Sequence, residues 1–108
     1  MSEPFQELAD LDRLIHEPSR LSLLTALSAC DSADFLYLQR LTGLTKGNLS
    51  SHIAKLEATG LVLVHKAFVQ KTPVTRIEIT ALGRETTERH WQRLATLRRR
   101  VLRWEPDV

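Results

Sequence analysis

The chain has 108 residues, 43% of them apolar and 26% charged, with a formal net charge of +2. These figures describe one domain, residues 1–108, with side chains enough for a modest core and no room for a second, catalytic domain. The start "MSEPFQELAD" is acidic and lacks the basic and apolar regions of a signal peptide, and no apolar run approaches the roughly 20 residues that span a bilayer, so the expected place is the cytoplasm, with no membrane partner.

Phe5, Leu8, Leu11 and Ile15 recur at spacings of three and four, which predicts an amphipathic helix over about residues 4–16. Pro18 restarts the chain, and "EPSRLSLLTALSAC" predicts a second helix to about Cys30 with Leu23, Leu27 and Cys30 on one stripe and Leu24 beside it. Cys30, the single cysteine, excludes an internal disulfide and reads as a small buried residue. "DSAD" is a polar break. "FLYLQRLTG" then predicts a short helix stopped by Gly43, and Thr45 is placed to cap a further helix whose Leu49, Ile53 and Leu56 share a face before Gly60 ends it. Two helices across a tight glycine turn form a helix-turn-helix pattern.

After Gly60 the period changes. "LVLVHKAF" and "TRIEIT" read as the strands of a β-hairpin, with "VQKTPV" as a flexible tip containing a strand-interrupting proline. From Thr80 the helical period returns, and "TALGRETTERHWQRLATLRRRVLRW" carries Trp91, Leu94, Leu97, Val101 and Trp104 along one stripe. The domain thus divides into an N-terminal helix (1–17), a central core (18–79) and a C-terminal helix (80–108), an α+β and mainly helical fold. Its charge is divided as well. Residues 1–34 hold two basic and seven acidic side chains, a balance of −5, whereas residues 35–108 hold thirteen and six, a balance of +7 that suits a polyanionic partner.

With this order of elements the chain resembles winged-helix transcriptional regulators, the small stand-alone DNA-binding domains related to the MarR and ArsR classes. "RLSLLTAL" at 20–27, "LQRLTGLTKGNLSSHIAKLEATGLV" at 38–62 and "TRIEITALGRE" at 75–85 carry the resemblance, which spans most of the chain. It implies that the recognition helix, about 45–59, enters the major groove of double-stranded DNA. The wing, about 67–75, would lie on the backbone or in the minor groove. Setting Leu49, Ile53 and Leu56 inward turns Gly47, Asn48, Ser51 and Lys55 outward, with Ser50 on the flank and Thr45 and Lys46 at the N-terminal end, where free backbone N–H groups favour phosphate. Asn pairs with adenine edges, Ser with base or phosphate, and Lys with phosphate or guanine. The alternative is an ordinary solvated face. His52, at its edge, is open both to a phosphate contact and to packing beside the hairpin. In the wing, Lys66, Gln70, Lys71, Thr72 and Arg76 supply polar or basic groups around Pro73; Lys71, Thr72 and Arg76 are the contact candidates, Arg76 also being open to pairing with Glu78 or pointing across the sheet.

A single short helix reads few base pairs, so a homodimer is expected, setting two such helices about 34 Å apart. The terminal helices would form it through Leu8, Leu11, Ile15, Trp91, Leu94, Leu97, Val101 and Trp104, or else fold those stripes onto their own core. His16, His65 and His90 are scattered without a metal-ligand spacing, the cysteine motif of some ArsR-class sensors is missing, and no cofactor or effector is indicated. No nucleophile elbow or phosphate loop points to an enzyme. The competing function is a winged-helix module for protein interaction or assembly, since fold alone does not set function.

Overall fold

The computed structural model describes residues 3–107. Its elements run α1 (Pro4–Ala9), α2 (Pro18–Cys30), β1 (Ser32–Asp34), α3 (Phe35–Thr42), α4 (Lys46–Ala58), β2 (Val62–Val69), β3 (Thr72–Ile79) and α5 (Ala81–Arg103). The strands form one antiparallel sheet in the order β1-β3-β2.

Each helix of the central core begins on a residue that satisfies an orphan N–H. Glu17 accepts from Arg20 N at α2, Asp34 from Tyr37 N at α3, and Thr45 from Asn48 N at α4. Between α3 and α4 the chain turns at Gly43, whose φ of +70° is the left-handed cap conformation that suits glycine. Apolar stripes from α2 (Leu23, Leu24, Leu27), α3 (Leu38) and α4 (Leu49, Ile53, Leu56) then close on Ile77 and Ile79 of the sheet, with Ile15 sealing the side.

The N-terminal helix is shorter than its apolar spacing predicts. It ends at Ala9, and residues 10–17 form turns in which Asp12 Oδ1 accepts from Leu14 N at 2.9 Å. Leu11 and Ile15 are nonetheless buried, because the turns fold them inward as a helix would have done. Cys30 is exposed, not buried. Its stripe outruns the core at the last turn of α2, where the thiol donates back to Ala26 O and Asp31 swings the chain away at a φ of +66°.

The hairpin also departs from expectation. "DSAD" contains β1, which pairs Ser32 to Asp34 with Glu78 to Arg76. The tip is not a flexible loop, since pairing runs to Val69↔Thr72 and only Gln70 and Lys71 turn the chain, both at positive φ. Pro73 lies inside β3 opposite Phe68. It is tolerated there because β1 covers only residues 76–78 of β3, leaving the proline's other edge free and asking it for no ladder donor.

α5 starts in close contact with this sheet. Thr80 caps it through Gly83 N at 2.9 Å and also donates to Gly60 O at 2.7 Å. A Cβ on Gly83 would overlap the Leu61 carbonyl and stand 3.0 Å from Ile79 Cγ1, so glycine is what allows the helix to approach β2. From there α5 runs past α2 to α1, where Arg100 pairs with Glu7, the Trp104 indole donates to Glu3 Oε2 at 3.0 Å, and Phe5 meets Trp104 edge-on at 5.1 Å.

Candidate nucleic-acid interface

The apolar stripe of α4 fixes what faces outward. With Leu49, Ile53 and Leu56 buried, Lys46, Gly47, Asn48, Ser50, Ser51 and Lys55 are exposed along the opposite side. Thr45 stays exposed at the N-terminal end with its oxygen accepting from Asn48 N at 3.2 Å, so its hydroxyl proton is left for an outside acceptor.

The side chains of α4 divide between two neighbours. Lys46, Ser50, Ala54 and Glu57 turn toward the hairpin and line an open groove of about 910 Å³, closed on the other side by Val64, Lys66 and residues 72–75 and at its end by the start of α3. Thr72 therefore stands with Lys46 and Ser50 along one lining. Lys71 sits at the turn itself, exposed, beyond the groove lining. Two carboxylates, Asp34 and Glu57, share the lining and set a local limit on its positive charge.

On its other flank α4 is anchored. His52 Nδ1 lies 3.1 Å from Arg20 Nη1 and 3.8 Å from Glu17 Oε2, and the ring is half-buried. Arg20, itself 9% exposed, donates from Nε to Leu14 O at 2.6 Å and from Nη2 to Arg13 O at 3.1 Å. Burial raises the Glu17 carboxyl, but the Arg20 and Ser19 backbone N–H groups and the His52 and Arg20 charges outweigh it and hold the group below its ordinary value. His52 is thus a support between α4 and the turns at residues 13–17, half-buried at the edge of the outward face. Arg76, exposed, lies opposite His65 within the paired part of the sheet, and its Nε donates to Ser32 Oγ at 3.2 Å, away from the tip. Glu78 pairs instead with His65 at 3.2 Å.

One member of the wing face, Phe68, escaped sequence reasoning, whereas its neighbour Lys66 is among the wing's expected basic groups. Lys66 and Phe68 share the groove face of β2, because Val62 and Val64 point inward and strand alternation carries that face to positions 66 and 68. Extending the period of two past Val64 would have found Phe68. Arg20 left no local signal, since its partner on α4 is 32 positions away.

The terminal helices hold their stripe unevenly. Leu11, Ile15 and Leu97 are buried inside the chain, and Leu94 and Val101 are half-buried. Leu8, Trp91 and Trp104 remain exposed, although the Trp91 indole donates to Thr25 Oγ1 at 3.0 Å and Trp104 is held by α1. Among the described residues no group of three or more His, Cys, Asp or Glu side chains could hold a metal ion, and no helix is long and apolar enough to cross a membrane.

A helix-turn-helix whose second helix shares a groove with a two-stranded wing defines the winged helix-turn-helix class. A family model described as a winged helix DNA-binding domain matches residues 19–98, and the chain belongs to that family. An uncharacterized protein of Methanocaldococcus jannaschii is 33% identical over 72 residues, covering 67% of this chain and 78% of its own. Among solved structures, a transcriptional regulator homologue from Pyrococcus horikoshii OT3 is 33% identical and superposes with a TM-score of 0.80 over 89% of this chain and 94% of that one. A MarR-family transcriptional regulator from Silicibacter pomeroyi shares the fold at 21% identity, with a TM-score of 0.64 over 97% and 68% of the two chains. The chain is therefore a winged-helix transcription regulator of MarR-like architecture.

Proposed function

We propose that this regulator recognises a specific double-stranded DNA sequence as a homodimer, acting by binding and not by catalysis. The observation that carries the reading is the shared groove: the exposed side of α4 and the inner face of the wing open on the same side, with Lys46, Ser50, Lys66 and Thr72 around them. Asn48, Ser51 and Lys55, with Gly47 allowing close approach, suit base edges and phosphates of the major groove, and Thr45 and Lys46 suit a phosphate at the helix start. Lys71 and Thr72 suit the backbone beside the minor groove.

Dimerisation would raise specificity by placing two copies of α4 on successive turns of the duplex. The exposed Leu8, Trp91 and Leu102 and the outer edge of Trp104 are the apolar surface that supports pairing through the terminal helices, whereas Leu11, Ile15 and Leu97 serve the protomer's own interior. Asp34 and Glu57 in the groove favour the competing reading, a protein-interaction module that avoids polyanions.

Selection of bound duplexes from a random pool, followed by affinity measurements across a salt series, decides between them. Enrichment of a sequence and a steep loss of affinity with salt are expected, with Asn48→Ala and Ser51→Ala relaxing the selected sequence. No enrichment and no salt dependence would sink the DNA reading.

A further inference from the structure

Phe68 is 76% exposed, more than any other large apolar side chain described, at the end of a strand where a polar residue would be expected. Its position is tightly set. It pairs with Pro73 in register, two pairs from a turn made by Gln70 and Lys71 alone, so the paired strands present the ring instead of a loose loop. By strand alternation it shares its face with Lys66, which lines the groove with Lys46 and Ser50 of α4, while Phe68 itself stands past the end of that lining. An apolar ring thus stands on the groove face of the wing, beyond the lining, between cations at 66 and 71.

We propose that Phe68 is an apolar wedge that presses into the minor groove beside the site read by α4 and bends the duplex there. The proposal rests on the DNA reading above and assigns the wing a second kind of contact. The cations flanking the ring select a polyanion over an apolar partner surface, and the minor groove is where a polyanion offers an apolar side chain a place to enter, by partly unstacking a base step. Such a step opens most readily at pyrimidine–purine sequences, so the wing adds sequence preference without a hydrogen bond to any base. Lysine contacts to phosphate release counterions and steepen the dependence on salt; a phenyl ring does neither.

That difference supplies the test. Wild-type protein, Phe68→Ala, Phe68→Leu and Lys71→Ala are titrated with the selected duplex across a salt series, and bending is read by energy transfer between dyes at the duplex ends. Phe68→Ala is expected to lose affinity roughly 10- to 100-fold, to keep the wild-type salt slope and to bend the duplex less, while Phe68→Leu retains most of both. Lys71→Ala is expected to lower the salt slope by about one without abolishing the bend. Wild-type affinity in Phe68→Ala, or lost affinity with the bend unchanged, overturns the wedge while leaving the DNA reading intact. If the wild type binds no duplex, both fall together. Sedimentation of Phe68→Ala is expected to give the wild-type mass; a smaller mass would assign the ring to a contact between copies and overturn the proposal. The exposure of Phe68 makes folding of these variants a fair expectation, checked by their thermal melts.

Discussion

His52 on α4 stands 3.1 Å from the Arg20 guanidinium on α2, and the same guanidinium holds the Leu14 and Arg13 carbonyls. One buried cation therefore joins the outward-facing helix to the turns that follow α1. Replacing Arg20 with Ala leaves two carbonyls and a ring nitrogen without their donor, and is expected to cost about 2–4 kcal/mol in urea unfolding. Arg20→Lys is expected to recover only part of that, since an ammonium cannot reproduce the fork that spans three acceptors. A loss below about 0.5 kcal/mol for Arg20→Ala would show that the bonds are not stabilising.

His16 Nδ1 and His90 Nε2 lie 3.2 Å apart, joining the turns to α5. Burial lowers the His90 pKa below its ordinary 6.5, the His16 and Arg93 charges lower it further, and Asp12 opposes them. The folded chain thus binds fewer protons than the unfolded one as the pH drops, so stability is full above about pH 6.5 and is lost as pH falls toward the folded value. The Glu17 carboxyl, also lowered, adds a second loss of the same sign below its ordinary 4.5. Denaturation midpoints from pH 8 to about pH 3 are expected to decline in these two windows, and His90→Gln is expected to flatten the upper one. An unchanged profile in His90→Gln would remove His90 as its source.

At Gly83 a methyl group would overlap the Leu61 carbonyl. Gly83→Ala must push α5 from the Leu61 backbone just before β2 or bend it, despite alanine's better helix propensity, and is expected to destabilise by roughly 2–4 kcal/mol. A thermal melt at or above the wild-type temperature would contradict the close approach.

Gln70 and Lys71 hold φ values of +51° and +66°, a conformation that Asn and Gly adopt at lower cost. The pair Gln70→Asn and Lys71→Gly is expected to raise stability by about 1 kcal/mol while weakening DNA binding through the lost cation. Gains in both stability and affinity would show that Lys71 makes no phosphate contact.

Pairing of protomers is best tested at residues the fold does not need. Leu97→Ala would disturb the protomer's interior, since that side chain is 2% exposed. Leu8→Ser with Leu102→Ser instead removes surface apolar area, at 39% and 68% exposure, and is expected to halve the sedimenting mass while leaving the circular dichroism unchanged. A dimer of undiminished affinity would exclude this surface.

The parts legible in the sequence were those with local causes. α4 announced itself through Thr45, its apolar stripe and Gly60, and its outward residues followed from the helical period. What stayed hidden depended on distant partners or on exceptions to local rules. β1 is three residues long and exists because Glu78 to Arg76 lie beside it. The hairpin turn lacks an Asn-Gly signal, and Pro73 reads as a strand breaker until the sheet edge beside it is seen to be open. His52 reads either as a phosphate contact or as a residue packed beside the hairpin, and nothing near it in sequence names Arg20.

The protein measures 68 × 26 × 21 Å. The hairpin and α5 both depart from the Leu61–Gly83 contact, and at about 1.5 Å per helical residue and 3.3 Å per strand residue their lengths together come near the long axis, so they run apart. The molecule is then a long lever with the wing tip at one end and the end of α5 at the other. A rotation of about 5° of the whole body about the far end of α5 sweeps the wing tip through roughly 5 Å, more than the 3.4 Å between successive base pairs. Small changes in how two such bodies lean on each other would decide whether both wings meet their grooves at once.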